Sequence, residues 1–203
     1  MTVRQTLLSI LSLEPCYGHQ LRAEFVRRTG GVWPINIGQI HTTLDRLERD
    51  GLVQKGNTDS LGRAYFSILD AGRDVVNDWL SIPSVKPQFE RNELVMKLAV
   101  ASTLPGVDVS EVISAQRGAS LTALQNATRS REHVLRPTSP EDVAFLMIAD
   151  SAIEHAAAEI RWLDLAEQRL SEATAGGFMT ALPVTSTTPG RGRPANSRSG
   201  QPS

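Results

Sequence analysis

Hydrophobic residues recur at helical spacing along most of the chain, most sharply between Trp33 and Val53, WPINIGQIHTTLDRLERDGLV. Ile37, Ile40, Leu44 and Leu47 lie three, four and three residues apart, so one stripe of a helix is apolar. Asn36 precedes the stripe with Gln39 three residues on, which predicts an N-cap with its capping-box partner, and Gly51 supplies the terminating C′ residue. Upstream, Val3, Leu7, Ile10 and Leu11 predict a first helix, opened by a Thr2–Gln5 capping box and ended at Glu14-Pro15. Tyr17, Leu21 and Phe25 predict a second from Tyr17-Gly18, with Arg27 and Arg28 at its negative dipole end and Thr29-Gly30-Gly31 stopping it. Trp33-Pro34 then forms a stiff apolar turn. Downstream, Leu52–Lys55 and Arg63–Ile68 have strand composition around the polar tip Asn57–Gly62, and Asp70 caps a fourth helix carrying Val75, Val76 and Trp79.

The second half is helical throughout. Pro83 and Pro87 mark a linker over 82–89, and Leu94, Leu98 and Ala101 place a short helix after it. Asp108 with Glu111 reads as a capping box for a long helix through Val112, Leu121, Leu124 and Leu135, ended by Pro137. Ser139-Pro140-Glu141-Asp142 combines a cap, a proline at the first position and acids in the first turn. Two heptad positions follow, Leu146, Ile153, Ile160, Glu167 and Ala149, Ala156, Leu163, Leu170, of which only Glu167 is not apolar. That pattern predicts a helix–helix seam, made with the preceding helix, with a second chain, or with both. Beyond Ala175 the chain turns to Gly, Pro, Ser, Thr and Arg with no large apolar residue after Leu182 except Val184, a composition that predicts a disordered tail. The expected class is mainly α: a winged helix-turn-helix domain over 1–81, a linker over 82–89, an α-helical dimerisation and effector domain over 90–173, and a basic tail over 174–203.

Net charge is −1, so the molecule as a whole is no basic nucleic-acid binder. Residues 1–80 carry nine Lys/Arg and nine Asp/Glu, residues 81–172 nine and thirteen, and residues 173–203 three and none. Local placement must therefore carry any argument about DNA. The lone Cys16 excludes an intrachain disulfide and fits a reducing cytoplasm, either as a buried thiol or as a redox sensor. No apolar run is long enough to span a bilayer, and the short N-terminal apolar segment reads as a core helix rather than a signal peptide.

Three helices, a two-stranded wing and a fourth helix make a winged helix-turn-helix, whose third helix enters the major groove. Opposite the apolar stripe stand Gln39, Thr42, Arg46 and Arg49, side chains able to bond base edges and phosphates, although Asp45, Glu48 and Asp50 keep the helix from being a basic stripe. We expect Gln39, Thr42, Thr43 and Arg46 to approach bases, with Arg46 as the bidentate reader of guanine. His41, Arg49 and Lys55 approach phosphates, and Arg63 at the wing reaches the backbone or the minor groove. In the tail, Arg191-Gly192-Arg193-Pro194 has the form of an A·T-hook core, as well as that of a segment giving only phosphate attraction.

Tyr17-Gly18, Thr29-Gly30-Gly31-Val32-Trp33-Pro34, Gly38-Gln39-Ile40, Leu44-Asp45-Arg46-Leu47-Glu48, Gly51-Leu52-Val53, Gly62-Arg63 before Tyr65-Phe66, and Asp70-Ala71-Gly72-Arg73 occur in the order and spacing of one family. Over residues 1–80 the sequence resembles the PadR family of bacterial transcriptional regulators, and the remainder resembles that family's longer helical C-terminal domain. The resemblance implies a homodimeric repressor on a pseudo-palindromic operator in double-stranded DNA, relieved in several members by a small aromatic or amphipathic compound. The family usually has tyrosine where this chain has His41; a histidine there still meets phosphate, with a charge that depends on pH.

Relief is expected to pass through helix four and the Pro83–Pro87 linker, which join the reading heads to the C-terminal helices. Trp79 and Trp162 serve either as core or as ligand contacts. No catalytic constellation is present: His19, His41, His133 and His155 have no metal-ligand spacing with one another or with Cys16, and the P-loop, dinucleotide and nucleophile-elbow motifs are missing. Neither enzyme activity nor a cofactor is expected. The rival reading is a protein-binding adaptor built on a winged helix that reads no DNA sequence.

Overall fold

A computed structural model describes residues 2–85 and 92–177 together with Leu182. The elements run α1 (Thr2–Leu11), β1 (Cys16–Tyr17), α2 (Gly18–Arg28), α3 (Ile37–Arg49), β2 (Val53–Thr58), β3 (Ala64–Ile68), α4 (Asp70–Ser81), α5 (Glu93–Ala101), α6 (Val109–Glu132) and α7 (Pro140–Ala175). The chain is mainly α, with one antiparallel sheet ordered β1-β3-β2. The C-terminal part of the expected linker and nearly all of the tail, Arg191–Pro194 included, fall outside the described residues.

One apolar cluster binds α1, α2, α3, α4 and the sheet. Leu7, Leu8, Leu21, Ile40, Leu44 and Leu47 are wholly buried in it, beside Phe25, Val53, Phe66 and Val76. The α3 stripe is thus the floor of the head, and its opposite face is left to solvent. Asn36 accepts a bond from the Gln39 backbone N–H at 2.8 Å, and Gln39 Oε1 accepts one from the Asn36 N–H at 3.2 Å, the reciprocal box that the sequence predicts. Gly51, at φ 69°, ends the helix as its C′ residue.

A second cluster joins Leu98, Ala101, Val109, Ile113 and Leu163, with Leu94, Trp162, Ala166 and Leu170 packed against it. Here α6 and α7 form a helical hairpin closed at one end by α5. Ser139 and Asp142 build a full capping box at the start of α7. Leu163 is wholly buried and Ala149 is 6% exposed within the single chain, so these two heptad positions serve the intrachain seam. Leu146, Ile153, Ala156, Ile160 and Leu170 are half-buried, Leu170 against this cluster.

Several local expectations are corrected. Thr2 is the first helical residue of α1, not its cap, and Gln5 Oε1 is buried without a partner, so no box forms there. Val3 is 37% exposed, and wholly buried Leu8 completes the stripe instead. Tyr17 belongs to β1, pairing with Tyr65, rather than to the buried side of α2. Strand β2 continues through Asn57 to Thr58, with a register shift between Lys55 and Thr58, so the tip is shorter than its polar sequence implies. The residue before α4 is Leu69, and Asp70 lies in the first turn. Asp108 caps α6 through the Ser110 and Glu111 N–H groups with no return bond from Glu111, and Leu135 lies beyond the end of α6, 81% exposed.

Candidate nucleic-acid interface

The exposed face of α3 forms a ridge between two open grooves. On the α1 side, a groove of about 500 Å³ is lined by Asn36, Gln39, Thr42, Thr43 and Arg46 together with Val3 and Ile35. It continues into a smaller depression lined by Arg4, Thr43, Arg46, Arg49 and Asp50. On the wing side, a groove of about 380 Å³ is lined by His41, Asp45, Lys55 and Arg63 with Tyr17, His19 and Gly62. The eight residues that the sequence nominates therefore separate into two sets. Gln39, Thr42, Thr43, Arg46 and Arg49 share the α1 side; His41, Lys55 and Arg63 share the wing side.

The hydrogen bonds sort these side chains by what they have left to offer. Gln39 uses its amide oxygen in the cap, which leaves its NH₂ as a donor. Thr43 returns its hydroxyl proton to the Gln39 carbonyl at 2.7 Å and keeps acceptor lone pairs. Arg49 is paired with Asp50 at 3.1 Å, and Asp50 also holds Arg4 at 2.9 Å. Among the described residues, Arg46 and Lys55 form no ion pair. The Arg46 guanidinium is therefore the cation with its donor fork uncommitted on the α1 side, and the Lys55 ammonium its counterpart on the wing side.

The wing side is more tightly built. Asp59 Oδ1 accepts the backbone N–H groups of Leu61 and Arg63 at 2.9 Å each, which closes the tip, and Asp59 Oδ2 holds Arg63 at 2.8 Å. The Arg63 backbone N–H foremost, then its guanidinium and the Leu61 N–H, hold the Asp59 carboxyl below its ordinary pKa against the opposing desolvation. Asp59 in turn raises the pKa of Arg63, which stays cationic. His41 is set over the start of α2: a Cβ added to Gly18 would stand 2.9 Å from His41 Cε1. The imidazole is thus a wall of the wing groove as well as an exposed polar group.

Sequence reasoning did not nominate Arg4, Tyr17 or His19, which line these grooves from α1, β1 and α2. No local pattern marks Arg4 or His19, and the Tyr17-Gly18 motif marks Tyr17 without pointing to a groove; all three reach the site through tertiary packing. Among the described residues no cluster of three or more His, Cys, Asp or Glu could hold a metal ion, and no helix is long and apolar enough to cross a membrane.

A sheet-backed helix-turn-helix with an exposed polar third helix and a charged wing defines a winged-helix regulator. The Transcriptional regulator PadR-like family matches residues 7–78, and the Virulence activator alpha C-term family matches residues 90–171. The negative transcriptional regulator PadR of Bacillus subtilis (strain 168) is 22% identical over 170 residues, 80% of this chain and 93% of that protein. Bacillus subtilis PadR in complex with operator DNA superposes with a TM-score of 0.60 at 20% identity, over 85% of this chain and 99% of that one. The same protein in complex with p-coumaric acid gives 0.63 at 20%, over 84% and 99%. The Vibrio cholerae virulence activator AphA gives 0.62 at 19%, over 86% and 99%. These superpositions establish the shared fold. Residues 7–78 are thus a PadR-like transcriptional-regulator domain, of a family of regulators and not of enzymes, followed over residues 90–171 by a Virulence activator alpha C-terminal domain.

Proposed function

We propose that the protein is a homodimeric repressor that lays α3 in the major groove of a pseudo-palindromic operator and sets the wing against the flanking backbone. The observation that carries this reading is the uncommitted Arg46 guanidinium on the exposed ridge of α3, beside Gln39 and Thr42 and next to an Arg49 that shares Asp50 with Arg4. A free planar fork at that position suits bidentate contact with guanine O6 and N7. Lys55, His41 and Arg63 contact phosphates from the wing side and fix the register. The match to a relative described as a negative regulator, and to a relative solved on operator DNA, supports the direction of control and the type of partner.

Two copies join through the face of α7 that the chain leaves half-covered, with Leu146, Ile153, Ala156 and Ile160 at its centre; Ala149, Leu163 and Leu170 back that face from within. A relative binds p-coumaric acid, and we infer an apolar effector of similar size here. Among the described residues, an open apolar groove of about 670 Å³ lies along α5 between Met96, Val100, Leu104 and Val107. Trp79, 40% exposed, and Trp162, packed on the second core, stand outside that groove.

A mobility shift on the DNA upstream of the protein's own gene, at several salt concentrations, tests this. Wild-type protein is expected to shift one fragment specifically and to protect two half-sites, with affinity falling as salt rises. Arg46→Ala is expected to lose about 1–3 kcal/mol and to relax selectivity at one base per half-site. Undiminished affinity in that variant removes Arg46 from the interface, and a protein that shifts no DNA at low salt returns the adaptor reading.

A further inference from the structure

We infer that Phe145 and Glu141, in the first turns of α7, are positioning residues for the recognition helix. They hold the turn of the helix-turn-helix directly from the C-terminal unit. The turn follows α2, where Thr29 Oγ1 donates to the Phe25 carbonyl at 2.7 Å and the Gly31 N–H to Val26 at 2.8 Å. Gly30 sits there at φ 59°, and a Cβ on it would stand 3.0 Å from Phe145 Cδ2 and 3.3 Å from Phe145 Cβ. The ring therefore lies flush against the backbone of the turn, in space that only glycine leaves open.

A second tie lies one helical turn back. Arg27, in the last turn of α2, pairs with Glu141 across 114 positions of sequence, and with Glu24 at 2.6 Å on its own helix. Both side chains of the cross-domain pair are about half exposed, 48% and 38%, so the pair adds orientation more than stability. The packing of Phe145 holds the turn more firmly, and the ion pair sets which side of the turn the ring meets.

What the turn does next makes this contact directional. From Gly31 the chain runs through Ile35 to the Asn36 cap, and Arg22 Nε bonds the Ile35 carbonyl at 2.9 Å, so the segment is fixed to α2 at both ends. A shift of the turn is passed to the N-terminus of α3. At its other end α7 carries Leu163 into the second core beside Ile113 and Leu98. One continuous helix thus touches the seat of the recognition helix and the interior of the C-terminal unit. The route differs from that through α4 and the following linker, because it passes from α7 directly to α2. This inference rests on the DNA-binding reading above: if α3 reads DNA, the tilt of α7 sets the separation of two such helices in a dimer, which must match a turn of the duplex.

The test uses the full-length protein with Phe145→Ala, Phe145→Leu and Glu141→Gln. Amide hydrogen exchange over Gly31–Ile35, without DNA, reads the joint itself. Affinity for operators with one base pair added or removed between half-sites reads the positioning. Phe145→Ala is expected to keep helical content and dimer state, to raise exchange in the turn at least tenfold, and to flatten the preference for one spacing. Phe145→Leu should restore most of both, and Glu141→Gln should change them slightly and in the same direction. Unchanged exchange in Phe145→Ala overturns the joint. Raised exchange with an unchanged spacing preference overturns the positioning role. If Phe145→Ala loses helical content, the same two outcomes are read from the double variant Phe145→Leu/Glu141→Gln, in which a smaller but measurable rise in exchange over the turn is expected. Wild-type protein that binds no operator overturns the DNA reading and the positioning with it, and the exchange result separates that failure from failure of the contact.

Discussion

The guanidinium of Arg63 stands 5.0 Å from the centre of the Tyr17 ring, so the wing tip rests on the residue that precedes α2. Tyr65 meets the same ring edge-on at 5.5 Å, and Tyr17 and Tyr65 are register partners across β1 and β3. The wing is thereby tied to the helix-turn-helix and does not hang as a free hairpin. Arg63 is held in place by Asp59, and that carboxylate also closes the tip.

The first prediction is a pH dependence of the tip. Because the folded Asp59 carboxyl lies below its ordinary pKa, its contribution is complete above the unfolded value. That contribution is lost as pH falls through the lowered folded value. Amide exchange at Leu61 and Arg63, followed from pH ~6 to ~2, should therefore show the tip opening at a pH below the ordinary titration of an aspartate. Asp59→Asn should remove the transition and release Arg63 from Tyr17. A transition that persists in Asp59→Asn would assign it to another group.

The second concerns the seat of α3. The Asn36–Gln39 box satisfies two backbone donors, so Asn36→Ala should lower stability by about 1 kcal/mol, whereas Asn36→Ser or Asn36→Asp should recover most of it. Urea unfolding of the three variants measures this. Equal midpoints for alanine and serine would mean that the cap contributes nothing to the folded head.

That cap was legible because it is local: donor, acceptor and stripe lie within one helix, and the sequence states all three. The wing strands and the start of α7 were legible for the same reason. Strand β1 was not, since two residues carry no periodicity and Cys16 and Tyr17 become a strand only by pairing with Phe66 and Tyr65. The heptads of α7 announced a seam without its partner. The burial of Leu163 beside Ile113 gives part of it to α6 within the one chain. In the site, the polar face of α3 could be read, but not the commitment of Arg49 to Asp50 or of Arg63 to Asp59. Each of those pairs competes with a nearby arginine or ring brought in by tertiary structure. The contact of Gly30 with Phe145 joins distant parts of the chain and has no sequence signature at all.

The third prediction separates the two uses of α7. Leu163 fills the core of one chain, so Leu163→Ala should cost about 2–5 kcal/mol in unfolding without weakening a dimer selectively. Ile153 is half-exposed on the same helix, so Ile153→Glu should leave the thermal stability of the monomer nearly unchanged and raise the dimer dissociation constant at least tenfold. Sedimentation velocity over a concentration series distinguishes them. A dimer untouched by Ile153→Glu would move the seam off this face.

The fourth prediction concerns the arginines beyond α7. The first turn of α7 touches α2, and its later turns, at Ala166 and Leu170, pack in the second core. The 36 residues of α7 give it a contour of about 54 Å at 1.5 Å per residue. The chain after Gly177 therefore starts roughly 50 Å from the α2 end of that helix. Arg191 follows after a stretch that spans at most about 50 Å even when fully extended. Base reading by Arg191-Gly192-Arg193-Pro194 beside the same half-site would demand a chain pulled taut, at a large loss of entropy. Phosphate attraction at any accessible place on the duplex carries no such demand. Deletion of residues 178–203 should accordingly leave both half-site footprints in place. It should also make the slope of log affinity against log salt shallower, by no more than about 0.9 for each arginine removed from contact. A footprint that loses A·T-rich flanking protection on deletion, with the half-sites intact, would show the tail reading the minor groove after all.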